Sequence, residues 1–409
     1  MPTETESWKM EKYELVIVGG GMVGLTMALA LRPMLELNAK ITLIDPAPEP
    51  SDTDLASPSF DDRATALSKY SFNALAALGI STLDQHSSPI KAIEVSDRGH
   101  AGYHLMEATE QGLDQFGAVI ANKTLGLLLW QKAKSLNIEY RFNQRVSTIK
   151  PDARGHTLSL SNEDKIHSQF VLLCDGGRSG LHHQLGLQET ITNFQAHARI
   201  AIIKAKKPHA GTAYERFTQQ GPIALLPFGD YSALVWTIPN DRYEKISQFD
   251  KSQSLAWLNE QVGQRLGLIE DISDWQDYPL VEKQLPVSIS HGFLALGNAA
   301  ATLHPVAGQG FNLAIRGMMR SAQTLNNAYR HNQAMPSFEQ CQCLASELQK
   351  DQKTTALFSN RLISLFGSPQ PAIQVGRGLG LNSLDRHPLL SQSFALAGMG
   401  LLQQAPGLI

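Results

Sequence analysis

The first residues of this chain with a spacing that implies chemistry are Gly19, Gly21 and Gly24, within Gly19-Gly20-Gly21-Met22-Val23-Gly24. They follow Leu15-Val16-Ile17-Val18, a β-branched run read as a buried parallel strand. A helix over Leu25–Arg32 follows, until Pro33. In that context Gly19 permits a tight turn, Gly21 lets the backbone approach a pyrophosphate, and Gly24 lets the helix pack on the strand. The helix N-terminus, with Met22 and Val23 leading into it, faces the anion. A second buried strand, Ile41-Thr42-Leu43-Ile44, ends in Asp45 about twenty residues later, placed to accept hydrogen bonds from a ribose diol. An acid there disfavours a 2′-phosphate, so the bound nucleotide implied is FAD or NAD.

Two later strands end the same way. Phe170-Val171-Leu172-Leu173-Cys174 runs into Asp175-Gly176-Gly177-Arg178-Ser179, and Phe293-Leu294-Ala295-Leu296 into Gly297-Asn298-Ala299-Ala300. Each puts a polar side chain at the carboxyl end of a buried strand, where open α/β sheets bind ligands. An unpaired carboxylate is costly there, so Asp175 reads as a ligand contact, with an ordinary turn aspartate as the alternative. His304-Pro305-Val306-Ala307-Gly308-Gln309-Gly310-Phe311-Asn312 then precedes an apolar helix from about Leu313. Such a loop presents free backbone N–H groups and a positive dipole end.

The elements that must position these residues belong to a chain of 409 residues, enough for two or three domains or one with an insertion. Apolar residues make up 43% and charged ones 18%, which excludes disorder. A formal charge of −3 offers no basic field for nucleic acid. Cys174, Cys341 and Cys343 match neither a disulfide framework nor a zinc site, so each reads as a small buried residue in a reducing compartment, with no metal. Residues 190–285 alternate in polarity, with antiparallel strands at Ala198–Ala205, Ala213–Thr218, Ile223–Leu226 and Ser232–Ile238. Phe338–Phe366 reads as helix, stopped by Gly367-Ser368-Pro369. No segment is long and apolar enough to span a bilayer, but Pro388–Ile409 carries no charge. A cytoplasmic protein with a lipid- or partner-facing tail is expected, a terminal helix closing the core being the plainer reading of that tail.

These motifs together resemble the FAD-dependent aromatic hydroxylases, the group A flavoprotein monooxygenases. Gly19–Gly24 matches the family's first element, Asp175-Gly176 its second, and Gly297-Asn298 with His304–Asn312 its third. Phe60–Ser68, which contains Arg63, looks like the arginine motif of the ubiquinone-biosynthesis branch. Val95–Gly102 and Glu215–Pro222 look like the 2-octaprenyl-6-methoxyphenol hydroxylases within it. Departures are Asp45 in place of Glu, Asn298 in place of Asp, and Gly317 at a position often held by Asp.

The resemblance implies an α/β fold of mixed α+β character: a Rossmann-like FAD-binding domain, an inserted antiparallel-sheet substrate domain and a helical C-terminus. Residues 1–75, 101–187 and 286–325 would build the FAD-binding domain, 76–100 and 188–285 the substrate domain, and 326–409 the helical region. FAD would be held by Gly19, Gly21, Met22, Val23, Gly24, Asp45, Arg63, Asp175, Gly176, Gly297, Asn298, Gly308, Gly310, Phe311 and Asn312. The loop His304, Pro305, Gly308, Gln309 and Gly310 would face the flavin ring, with no assigned acid or base. Phe217, Leu225, Pro227 and Trp236 are candidates for an apolar cover over the substrate, with ordinary core packing as the alternative for each. Asp97, Arg98 and His100 form a polar cluster without an assigned role.

The implied reaction converts a 2-polyprenyl-6-methoxyphenol to the 2-polyprenyl-6-methoxy-1,4-benzoquinol through a flavin C4a-hydroperoxide, consuming O2 and NAD(P)H. A ubiquinone-biosynthesis multienzyme complex and contact with the inner membrane through the C-terminus would go with it. Three alternatives stay open: a sister hydroxylase acting at another ring carbon, a flavin-holding scaffold without catalysis, and an NAD-dependent dehydrogenase. The last leaves Asp175-Gly176 and His304–Asn312 unexplained. A halogenase fits poorly, because Leu234-Val235-Trp236-Thr237-Ile238-Pro239 lacks the first tryptophan of WxWxIP.

Overall fold

The computed structural model describes residues 10–51, 61, 63–100, 102–303, 308–368, 370–384 and 407. Strand β1 (Glu11–Val18) turns through the glycines into helix α1 (Met22–Ala30), and β2 (Ile41–Ile44) follows. The turn is as tight as its glycines demand. A Cβ on Gly24 would stand 1.8 Å from the carbonyl oxygen of Gly19, and one on Gly19 2.6 Å from that of Cys174. Pro33 does not stop the helical path. It lies in the first turn of a short second helix, Arg32–Glu36, where its missing N–H has no intrahelical partner to lose.

Farther along come β3 (Ala64–Ser68), the hairpin β4 (Ala92–Asp97) and β5 (Tyr103–Glu107), and β6 (Lys165–Leu173). The long β7 (Thr190–Ala205) leads to β8 (Thr212–Phe217), β9 (Ile223–Phe228) and β10 (Tyr231–Pro239). Helix α2 (Lys251–Val262), strand β11 (Phe293–Ala295) and helices α3 (Gln309–Asn332), α4 (Phe338–Gly367) and α5 (Pro371–Leu384) complete the elements used below.

Two large sheets organise the chain. In the first, β11, β6, β1 and β2 lie side by side in parallel, with Val16 opposite Val171 and Ile17 opposite Leu43. The apolar end of β1 is buried on both faces, under helices on one side and against strand residues such as Val146, Ile149 and Leu158 on the other. Leu15 and Ile17 join the core beneath α1 and α3, while Val16 and Val18 join a second core with Val171, Leu173 and Phe293. The second sheet runs β7–β10–β9–β8–β4–β5 and is antiparallel except where β8 pairs in parallel with β4. The hairpin β4–β5 therefore belongs to this sheet, and the expected boundary at residue 100 falls inside it.

One face of the second sheet packs on α2. Leu225, Leu234, Trp236 and Ile238 join Leu258 and Val262 there, and Trp236 stacks on Trp257 at 3.8 Å. The other face looks toward the first sheet and encloses the site. Helix α4 opens on a capping box, Ser337 with Gln340, and ends at Ser368. All three cysteines are free, but Cys343 is exposed, contrary to the expectation. It lies two residues after the buried Cys341 and so turns to the opposite face of α4. Among the described residues no helix is long and apolar enough to cross a membrane. The uncharged tail Pro388–Ile409 lies outside the described residues, Gly407 excepted.

Candidate active site

A cavity of about 470 Å³ lies between the carboxyl ends of the first sheet and the open face of the second. One end is backbone and small residues: Gly21, Met22 and Val23 at the start of α1, Gly176, Gly297 with Asn298, and Gly308, Gly310 and Phe311 at the start of α3. The other end is apolar, walled by Val95, Phe217, Ala224, Leu226, Val235 and Leu362.

The polar end fits a dinucleotide. No side chain caps the N-terminus of α1 or of α3, so their first N–H groups stay available to an anion. Among the described residues nothing lies within 4 Å of the place a Cβ on Gly310 would take, and Gly310 lines the cavity. Arg63 and Arg178 supply positive charge along the wall. Arg63 is fixed by an ion pair to Asp61 at 2.6 Å and by packing over the Tyr278 ring at 4.8 Å. Asp61 in turn accepts from Asn122 Nδ2 at 2.8 Å, a support the sequence did not announce.

Several expected contacts have other work in the structure. Asp45 is buried, and its carboxylate accepts from the N–H of Gly20 at 2.5 Å and of Ala47 at 2.7 Å, outside the cavity wall. It binds the end of β2 to the glycine turn. Asp175 closes its own loop, accepting from Gly177 N at 2.9 Å and Ser179 N at 2.6 Å, while Gly176 and Arg178 reach the cavity. Asn312 reaches the wall but is mainly a pin. Its Oδ1 accepts from Ser68 N at 2.8 Å, and its Nδ2 donates to the carbonyls of Ala66 and Gly308 at 2.9 and 2.8 Å. Gly19 and Gly24 shape the turn without lining the cavity, and Gln309 is buried outside the wall. His304 and Pro305 lie outside the described residues.

The apolar cover needs a correction of one residue. Of the four candidates only Phe217 lines the cavity. Leu225 and Trp236 belong to the core against α2, Pro227 is buried off the wall, and their neighbours Ala224, Leu226 and Val235 face inward instead. Side chains alternate along a strand, and both faces of this sheet are apolar, so pattern alone did not choose between them. The sequence reading also missed Phe358 and Leu362 of α4, which close this end.

It assigned no role to Glu215 either, although Glu215 shares a strand face with Phe217 and lines the cavity. Burial pushes its carboxyl up to about 8. Away from this wall, His182, His183 and Glu189 hold donor atoms within 4.8 Å of one another, with Lys283 at 3.9 Å from Glu189.

The chain matches the family described as FAD binding domain over residues 12–338. It is 27% identical to the ubiquinone hydroxylase UbiL of Rhodospirillum rubrum, an alignment covering 96% of this chain and 91% of that one. It is 24% identical to the 3-demethoxyubiquinol 3-hydroxylase of Escherichia coli, covering 95% and 98%. Among solved structures, p-nitrophenol 4-monooxygenase PnpA from Pseudomonas putida superposes with a TM-score of 0.78 at 16% identity, covering 97% of this chain and 100% of that one. The match spans the glycine turns, the cavity they line and the sheet above it, and the chain thus belongs to the FAD binding domain family, as an FAD-dependent aromatic-ring hydroxylase.

Proposed function

We propose that this enzyme hydroxylates the ring of a polyprenyl phenol in ubiquinone biosynthesis, converting 2-polyprenyl-6-methoxyphenol to 2-polyprenyl-6-methoxy-1,4-benzoquinol with O2 and NAD(P)H. The supporting observation is a cavity that joins a polar, glycine-lined end to an apolar end. When bound, FAD supplies the reduction of O2 and the transfer of one oxygen atom to the ring. The chain does the rest. The uncapped starts of α1 and α3 would hold the pyrophosphate and the electron-accepting end of the flavin. Phe217, Leu226 and Leu362 would seat the ring and keep water from it.

A lipid substrate must be collected from a membrane or a partner enzyme, and the uncharged Pro388–Ile409 segment is the proposed contact for either. The likeness to a 3-demethoxyubiquinol 3-hydroxylase favours a second reading, attack at another carbon of the same ring. One experiment separates them. FAD-loaded protein is reduced anaerobically with NADH or NADPH and then given labelled O2 with short-chain analogues of each phenol. Labelled oxygen in the methoxyphenol analogue supports the first reading, in the demethoxyubiquinol analogue the second, and in neither overturns both.

A further inference from the structure

Glu215 stands in mid-β8, with Val95 of β4 and Ala224 of β9 as its strand neighbours, both on the cavity wall. Phe217, two residues on, shares its face. Among the described residues nothing donates to the Glu215 carboxyl, and no cation pairs with it. Arg178 lines the polar end of the same cavity, and the buried His104 of β5 pairs with Val95 one strand farther from Glu215. The other charged groups nearby are engaged elsewhere. Arg216 turns to the opposite face, where Nε donates to the Gln261 carbonyl at 2.6 Å. Glu94 of β4 pairs with Arg265, Asp97 with Arg377 and Arg98 with Glu260, and at the polar end Arg63 pairs with Asp61. Strand β9 brings no ionisable residue, and α4 presents Phe358 and Leu362.

A carboxyl so placed is a liability to the fold, since burial disfavours its charge and no partner restores it. The same placement suits an acid–base group that meets a ligand inside the cavity. We infer that Glu215 is the base that accepts the phenolic proton of the substrate, an assignment that rests on the phenol hydroxylase reading above. The substrate O–H bond breaks, the proton passes to a Glu215 oxygen, and the electron pair stays on the phenolate oxygen, enriching the ring carbons ortho and para to it. After oxygen transfer, the new hydroxydienone regains aromaticity: its ring C–H proton leaves to water and Glu215 returns the proton to the ring oxygen. Because burial holds this carboxyl at about 8, closer to a phenol than an ordinary glutamate is, proton exchange between them is well matched.

The test compares FAD-loaded wild type, Glu215→Gln and Glu215→Asp, using a short-chain prenylphenol analogue as substrate and phenol as a binding probe. In wild type, kcat/KM is expected to climb with pH toward a plateau above about 8. Glu215→Gln should lower kcat/KM at pH 7 by roughly 100-fold and remove that limb, and Glu215→Asp should recover part of it. Independently of turnover, a protonated-carboxyl infrared band should titrate near 8 in wild type, be missing in Glu215→Gln, and titrate lower once phenol donates to the ionised form. If Glu215→Gln loads no FAD, the wild-type infrared titration decides alone. Hydroxylation by wild type with an unchanged rate and pH profile in Glu215→Gln, or a band that phenol does not move, overturns the role of Glu215 and leaves the proposed function standing. A wild type that hydroxylates no phenol overturns both.

Discussion

Arg377 and Asp97, 280 residues apart, form a buried two-point ion pair, Nε donating to Oδ2 at 2.6 Å and Nη2 to Oδ1 at 3.3 Å. Arg377 Nη1 also donates to the carbonyls of Leu365, Phe366 and Ser368. The pair thereby ties α5 and the end of α4 to β4. Phe366, stacked on Phe217 at 3.7 Å, carries the same tie to the cavity wall. The polar cluster at Asp97 is thus a clamp holding the helical C-terminal region over the substrate sheet.

Removing one partner leaves a buried, uncompensated charge. Asp97→Ala should cost roughly 3–5 kcal/mol in a denaturant titration, and Asp97→Leu combined with Arg377→Met should be markedly more stable than the single variant. A double variant no more stable than the single one would remove the clamp from this account.

Gly310 gives a clean test of the flavin end. An added Cβ there meets no atom of the described residues within 4 Å, so Gly310→Val should fold with a nearly unchanged melting temperature without FAD. Its added methyl groups would stand in the cofactor's space, so FAD affinity, read by flavin fluorescence titration, should fall about tenfold or more. Normal flavin content would sink the assignment.

Strand parity separates core from substrate wall. Leu225→Ala should cost roughly 2–5 kcal/mol of stability while leaving the KM for the phenol unchanged, because Leu225 packs toward α2. Ala224→Trp fills the cavity instead and should raise that KM by about tenfold or more with FAD still bound. The reverse pattern would exchange the two faces.

Glu215 also sets a pH dependence of stability. Its carboxyl is raised from 4.5 to about 8 in the fold, so between those values the folded chain holds a proton that the unfolded chain has released. Stability therefore falls as pH rises through that window, by at most about 1.4 kcal/mol per pH unit from this group, and levels off above it. Glu215→Gln should remove that slope, so chemical denaturation at pH 5 and pH 9 should show the variant gaining on wild type at the higher pH.

Much of the framework is legible in the residues. Leu15–Val18 can be little but a doubly buried strand, and Gly19 and Gly24 stand where backbone atoms leave no room for a Cβ. The strands of the inserted sheet fall within a few residues of their expected bounds, apart from β7, which begins earlier at Thr190. What the residues leave unread has one physical origin: sequence names a polar side chain but not the atom it satisfies. Asp175 is directed at the backbone of its own turn, Asp45 at the glycine turn and at Ala47, and Asn312 at the backbone of the distant strand β3 as well as at Gly308. Leu225 and Trp236 follow the core alternative, on a sheet whose two apolar faces pattern alone does not tell apart. The clamp between Asp97 and Arg377 joins segments that no local pattern relates.

The polar end of the cavity also has a consequence for how the protein is made. Gly21, Gly176, Asn298 and Gly310 come from stretches spread along most of the chain. A ribosome must release nearly all of them before α3 can seat against α1, so no nascent fragment offers FAD a finished site. The flavin then acts on maturation as a whole-chain ligand, favouring only the closed molecule. Cells short of riboflavin should accumulate this protein as a protease-sensitive chain that awaits its cofactor.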